Sequence, residues 1–341
     1  MFTGYSLFKS KLKTKHHIGW PLPMTILLPR PGPARAKANW ILMLNFLCNM
    51  AANLKLKTVL VSSNDNSKYL DFWPVVREAW NRIVGIRCVL VYVGKSLPEH
   101  LCGDPDVHFF EAIDEWPTAT QAQCIRLLYP SLIKFDEKFD EKFDEKFDGK
   151  FDGKLDDTSS YAVAISDIDM VPMQLDYYIK GFGQFASDQF VSLRGVDEHY
   201  KQVYICYVGA TPKTWGEIFN IQTVDDVRNR LKDWAAIYPA DGIHGMDGGK
   251  GWCTDQVVLY NRVKALLASN PERVGLVPWA PTVGRLCRSQ MLSWNTHGFY
   301  TNYVGIPNTF IDFHMPNYQE NKAIIHEIVD RVALKKVDLA I

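Results

Sequence analysis

Several stretches of this chain are apolar on consecutive residues rather than on alternate ones, and no other feature constrains the fold as much. Thr58–Ser62 (TVLVS), Ile86–Val93 (IRCVLVYV) and Tyr161–Ser166 (YAVAIS) are short and rich in β-branched residues. A strand with one face in water alternates apolar and polar, whereas a continuous run needs cover on both faces. Val107–Ala112 reads as a further strand. Between these runs the period changes to that of a helix. Phe72, Val75, Val76, Ala79, Trp80 and Ile83 fall on one side of Phe72–Val84, and Thr118–Leu128 is stopped by Tyr129-Pro130. Strand, helix and strand in turn predict an α/β fold with a mainly parallel central sheet flanked by helices.

The rest of the chain divides by texture. Residues 1–57 read as an N-terminal extension in which 39–54 is an amphipathic helix, with Asn45, Asn49 and Asn53 recurring every four residues as a polar stripe. Its apolar run from Trp40 to Cys48 is broken by Asn45 and is far shorter than the roughly 20 residues a spanning helix needs. No transmembrane segment is therefore expected. Packing on the domain is the main expectation for 39–54, and peripheral membrane contact the lesser one. Lys134–Asp157 is a tandem tetrapeptide, KFDE three times, KFDG twice and then KLDD, which reads as a solvated insertion in the catalytic region 58–320. Aromatic, glycine and polar residues mix through 176–252, a helix runs from Asp255 to Ala268, and an amphipathic helix within 318–341 closes the chain. Loop-rich structure after a nucleotide-binding sheet is where an acceptor site would be built.

The chemistry concentrates in YAVAISDIDMVPM. A buried strand delivers Asp167 and Asp169 at its C-terminal end, the end at which open α/β sheets bind ligands. Two carboxylates at i and i+2 past a strand can converge on one hard divalent cation, Mn²⁺ or Mg²⁺, whose shell is completed by substrate diphosphate oxygens. The alternative is a turn or capping pair.

On these residues the chain resembles the GT-A fold glycosyltransferases. TQAQCIRLLYPSL followed by YAVAISDIDMVPM is similar to their donor-site core, a helix with a basic residue ahead of a strand that ends in D-x-D. The opening TVLVSSND…FWPVVREAWNRI…IRCVLVYVG resembles their nucleotide-binding half. The resemblance implies a metal-dependent enzyme that moves a sugar from a UDP- or GDP-sugar donor to the hydroxyl of a glycan or glycoprotein acceptor. It implies that Asp167 and Asp169 bind metal and donor, that Arg126 approaches the diphosphate or nucleoside, and that Ser62, Ser63 and Asn64 line base and ribose. Asp255 and Gln256 in WCTDQVVLYNRV resemble a D-Q pair beside the transferred sugar, where a carboxylate orients hydroxyls or acts as general base. A helix cap is the other reading of Asp255. His314 in FIDFHMPN resembles a C-terminal histidine that completes the metal shell in some retaining families, although the glycine and lysine expected downstream are missing. Trp252, Trp279 and Trp294 are candidates for an acceptor platform or for local packing. Arg285 and Arg288 (RLCR) either meet a phosphate or stand as surface charge.

Composition narrows the field. With 38 basic and 38 acidic residues the chain lacks the positive excess of a nucleic-acid binder. Its seven cysteines are scattered without C-x-x-C, which argues against a disulfide framework or a thiolate metal site and favours a reducing, cytoplasmic compartment. Three rival functions share some of the pattern. ISDIDMV also satisfies the nucleophile loop of haloacid-dehalogenase-like phosphatases, with Asp167 attacking phosphorus, but that motif belongs at the head of the sheet. Sugar nucleotidyltransferases need a Gly-rich basic loop after strand one, which SSNDNSKY lacks. A non-catalytic sugar-binding module is the third alternative, although the intact D-x-D gives no sign of lost catalysis.

Overall fold

The computed structural model describes residues 52–135, 158–238, 253–278, 284–288 and 310–338. Contacts divide the chain into Met1–Met50 and Ala51–Ile341, and the described residues belong to the second unit. The repeat except for its first residues, Trp252, Trp279 and Trp294, and the expected helix 39–54 up to residue 51 lie outside them. The end of that expected helix is instead extended backbone leading into the first strand: Asn53 bridges Ala186 in antiparallel fashion, and the Leu54 N–H bonds the Phe185 carbonyl at 2.8 Å.

The apolar runs become the strands they predict. β1 (Lys55–Ser63), β2 (Arg87–Gly94), β3 (Val107–Glu111) and β4 (Tyr161–Ile165) pair in parallel, β1 lying between β2 and β4. Consecutive residues feed opposite cores. Val59, Val61, Leu90 and Ala164 enter one apolar cluster, while Leu60, Val89, Val91, Val163 and Ile165 enter the other. Full burial of such a side chain contributes roughly 1.5–3 kcal/mol, so both faces demand a layer of helix.

Those layers form from amphipathic segments. On the first face lies α1 (Trp73–Ala79), started by Pro74, continued as a π-helical turn Trp80–Val84 and ended by Gly85 at φ 78°. The single helix expected over Phe72–Val84 thus changes pitch at its end. With α1 go α3 (Leu175–Gly183) and α7 (Tyr318–Asp338), whose Ile325, Ile328 and Val329 are buried. The second face carries α2 (Thr118–Ile125), α4 (Pro212–Phe219), α5 (Val224–Ile237) and α6 (Thr254–Ser269). Trp215 of α4 donates its indole N–H to the Val163 carbonyl of β4 at 2.9 Å, which ties that layer to the sheet. No described helix is long and apolar enough to cross a membrane.

Three-residue strands that the sequence pattern does not predict complete the sheet. These are β6 (Phe190–Ser192), β9 (Val208–Ala210) and β10 (Val274–Leu276), in the order β10-β6-β9-β4-β1-β2-β3. β9 runs antiparallel to both β4 and β6. Smaller pieces are β5 (Met170–Pro172), the ribbon of β7 (Val196–Asp197) with β8 (Gln202–Val203), β11 (Gly284–Leu286) and β12 (Phe310–His314). β11, β12 and β5 form a separate three-stranded sheet.

This order places a site. From β1 the chain builds outward through β2 to β3, then crosses back to lay β4 on the other side of β1. The strand order reverses between β1 and β4, and a crevice opens outside the carboxyl ends of strands at such a switch point.

Candidate active site

The carboxyl end of β1 supplies one wall of the crevice. Ser62 donates its hydroxyl to the Ala122 carbonyl on α2, and the Asn64 amide donates to Thr118 Oγ1 at 3.0 Å. These bonds hold the polar end of β1 against the first turns of α2. Asn66 then caps the turn Ser67–Leu70, accepting from Lys68 N at 3.1 Å, and brings Tyr69 to the cavity.

The opposite wall is the D-x-D. Ser166 N donates to the Leu60 carbonyl at 3.0 Å, which ends β4 level with β1, and Met170 N donates to the Asp167 carbonyl at 3.2 Å to close a tight turn. The chain leaves that turn as β5, pairs antiparallel with β12, and so sets His314 opposite Met170. Asp167 and Asp169 therefore sit where the large and small sheets meet.

Their side chains diverge. Asp167 Oδ1 accepts from Arg126 Nη1, and its Oδ2 accepts from the Cys206 thiol at 2.7 Å. Asp169 turns to the small sheet, with His314 Nε2 at 3.2 Å and Arg288 Nη2 at 3.4 Å from its Oδ2. Arg288 also contacts His314 Nε2. Burial pushes the Asp167 carboxyl up, but Arg126, the Cys206 thiol and His314 together hold it below the ordinary aspartate value. Burial would lower the Arg126 guanidinium, yet Asp167 and Asp255 more than offset that and keep it charged. Burial raises Asp255, with Arg126 pulling the other way. Tyr69 is raised by burial and next by the charge of Asp169.

Of the residues singled out in the sequence, nine line one cavity of about 260 Å³: Ser62, Ser63, Asn64, Arg126, Asp167, Asp169, Gln256, Arg288 and His314. Asp255 is outside that lining. It is 1% exposed and meets Arg126 Nη2 through Oδ2 at 2.7 Å. Nor does it cap α6 from the preceding position, because the N-cap residue is Cys253. Arg126 lines the cavity, but its N–H groups go to Asp167, Asp255 and the Gln123 carbonyl (3.1 Å). The two arginines of RLCR separate completely. Arg285 grips Asp312 with Nε and Nη2 at 2.9 and 3.0 Å, whereas Arg288 reaches the cavity.

Cys206, Asn66, Tyr69 and Gln123 belong to the site as well, and nothing in the sequence marked them. Cys206 reaches Asp167 because the next residue, Tyr207, takes φ 68°, a left-handed conformation that is strained for a bulky side chain. Tyr207 is held there by burial against Tyr178, ring centroids 4.9 Å apart, and by its N–H to the Ile165 carbonyl at 2.9 Å.

Among the described residues no group of three or more His, Cys, Asp or Glu side chains converges to hold a metal. Asp169 and His314 do converge as an oxygen and a nitrogen donor. Arg288 Nη2 contacts the same two atoms, so a cation held there by one or two side chains plus substrate phosphates would have to displace that guanidinium.

No protein-family model and no curated protein matches the chain. Among solved structures it is similar to a glycosyltransferase involved in the glycosylation of the major capsid of PBCV-1, at 10% identity and a TM-score of 0.32 over 80% of this chain and 99% of that one. It is also similar to the bifunctional glycosyltransferase WbbM in its apo form, at 10% identity and a TM-score of 0.29 over 83% of this chain and 50% of the other. Likeness at that level settles nothing about this chain, whose own geometry must carry the functional reading.

Proposed function

We propose that this chain is a glycosyltransferase of GT-A type, moving a sugar from a nucleoside-diphosphate donor to an acceptor hydroxyl. One observation carries the reading. The switch-point cavity puts the neutral, hydrogen-bonding end of β1 (Ser62 to Asn64) opposite an acidic and cationic group made of Asp169, His314 and Arg288. A nucleoside diphosphate has those two halves, a polar heterocycle with ribose and a doubly charged diphosphate.

In this reading Ser62, Ser63 and Asn64 receive base and ribose, and Arg288 meets the diphosphate. Gln256, in the first turn of α6, offers its amide to sugar hydroxyls. The acceptor oxygen bonds to the anomeric carbon, the bond from that carbon to the diphosphate oxygen breaks with its electron pair going to that oxygen, and the acceptor's proton passes to water. Negative charge grows on the departing diphosphate, and stabilising it is the main electrostatic task. Arg288 brings a positive charge to that place. Mn²⁺ or Mg²⁺, when bound, would be held by Asp169 and His314 and would add the counter-charge of a divalent cation there. Asp167 serves from behind, with both oxygens given to Arg126 and Cys206.

That last feature weighs against a phosphatase, in which an oxygen of Asp167 must be free to attack phosphorus. The test is a panel of UDP- and GDP-sugars, followed by release of nucleoside diphosphate, against phosphate release from a generic monoester. Release of UDP or GDP with transfer to an acceptor or to water is the expected result. Monoester hydrolysis without nucleoside diphosphate release would overturn the reading.

A further inference from the structure

Asp255 combines features that a substrate-binding acid does not. It is 1% exposed, it stays behind the cavity lining, and both of its oxygens are taken. Oδ1 accepts from the Gln256 N–H at 2.8 Å in the first turn of α6, where the helix dipole favours an anion, and Oδ2 accepts from Arg126 Nη2 at 2.7 Å. Arg126 in turn reaches Asp167 with Nη1, and Nη1 lies 3.5 Å from the Ser166 carbonyl. The guanidinium is thus a planar fork with one tine on the helix that begins at Thr254 and the other on the turn that carries the D-x-D. Its side chain is 9% exposed, so little solvent is at hand to replace a lost partner.

We infer that Asp255 is a positioning residue: it fixes the Arg126 guanidinium against Asp167, and through it the D-x-D turn, without itself touching substrate. The inference rests on the glycosyltransferase reading for its activity readout, though not for its structural one. The physical reason is directional. A guanidinium with a single carboxylate partner can swing about that contact, whereas one clamped by carboxylates at both ends has its plane set. Asp167 is one-third exposed and lies at a turn, so Arg126 and Cys206 are what orient it.

Asp255→Asn is the sharp perturbation, because an Asn oxygen still accepts from the Gln256 N–H while its NH₂ group is turned on Arg126. The link to the fork is broken and the link to α6 is kept. Loss of positioning is expected to lower kcat by on the order of 10 to 10²-fold, with the KM for donor changed far less. A cycle with Arg126→Met then separates the roles. If Asp255 works only through Arg126, the double variant turns over within about 2-fold of Arg126→Met alone. If the two losses multiply, Asp255 contacts substrate or moves a proton itself, and the inference is wrong. A structural measurement covers the cases in which Arg126→Met fails to fold or no donor is turned over. In ¹⁵N spectra of the native chain the Arg126 guanidinium N–H groups should exchange slowly with water, and Asp255→Asn should speed that exchange by at least about 10-fold. Unchanged exchange overturns the inference. A chain that releases no nucleoside diphosphate from any sugar, but shows the accelerated exchange, refutes the glycosyltransferase reading and leaves the Asp255 to Arg126 coupling standing.

Discussion

Arg285 and Arg288 stand three residues apart in RLCR, yet replacing each by methionine should damage different properties. Arg285 holds Asp312 in a two-bond fork, and Asp312 is 0% exposed. Without Arg285 that carboxylate keeps Arg194, whose Nη1 is 3.5 Å away, and burial, which raises its pKa to about 7, lets it take up a proton rather than stand as an unpaired charge. Breaking a buried pair by removing one partner costs about 3–5 kcal/mol. Because Arg285 is 22% exposed and Arg194 remains, the low end applies, ~3 kcal/mol. An unfolding entropy of about 2.1 cal/mol/K per residue amounts to about 0.6 kcal/mol/K for Ala51–Ile341, so Tm should fall by about 5 °C. Arg288 is 50% exposed, and its loss should change stability by no more than about 0.5 kcal/mol. It should instead weaken nucleoside diphosphate binding. One hydrogen bond to a charged group is worth about 1.5–3 kcal/mol, or roughly 10- to 100-fold in Kd. Calorimetric melting and titration with UDP and GDP in the presence of Mn²⁺ measure both quantities on the same samples. Binding lost at unchanged Tm in Arg285→Met would refute the reasoning, as would a lowered Tm with full binding in Arg288→Met.

Three further outcomes are expected. Turnover should require Mn²⁺ or Mg²⁺ and should collapse in Asp169→Ala at unchanged Tm; full-rate transfer in EDTA would remove the cation from the mechanism. Gly209 pairs with Ala164 in the centre of the sheet, and an added Cβ would lie 2.7 Å from the Phe182 ring and 3.2 Å from Ala164 Cα. Gly209→Ala should therefore cost about 1–3 kcal/mol in chemical denaturation, and a neutral result would mean that β9 is not packed as described. Asp226 accepts from the Gln222 and Thr223 backbone N–H groups and from the Thr223 hydroxyl in the capping box of α5, bonds that lower its pKa. A carboxylate depressed in the folded state adds stability above its unfolded pKa and loses it as pH falls. NMR titration should accordingly find the Asp226 midpoint below that of an ordinary aspartate, and an unshifted midpoint would contradict the capping box.

The order of residues alone dictates the part of the protein that has a long or regular signal. Three to six consecutive apolar residues do not suit a half-wet sheet, so TVLVS, IRCVLVYV and YAVAIS had to become strands covered on both faces. A strand that ends in SDID had to present its polar residues at the carboxyl edge. From that, nine of the chosen side chains reached one cavity. Tertiary structure alone decided the rest. β6, β9 and β10 have three residues each, too few to show any period, and β9 runs antiparallel because its neighbours on both sides bond it so. Where a side chain points depends on a partner distant in sequence. Asp167 turns to Arg126 and Cys206 while Asp169 turns to His314 and Arg288, although one residue separates them. Asp255 is drawn under the cavity by Arg126, and Arg285 away from it by Asp312. Spacing along a chain sets which groups can be delivered to one edge of a sheet, whereas pairing of charges in a dry interior sets which of them face the ligand. No local pattern encodes those pairings, because each joins residues that only the completed fold makes neighbours.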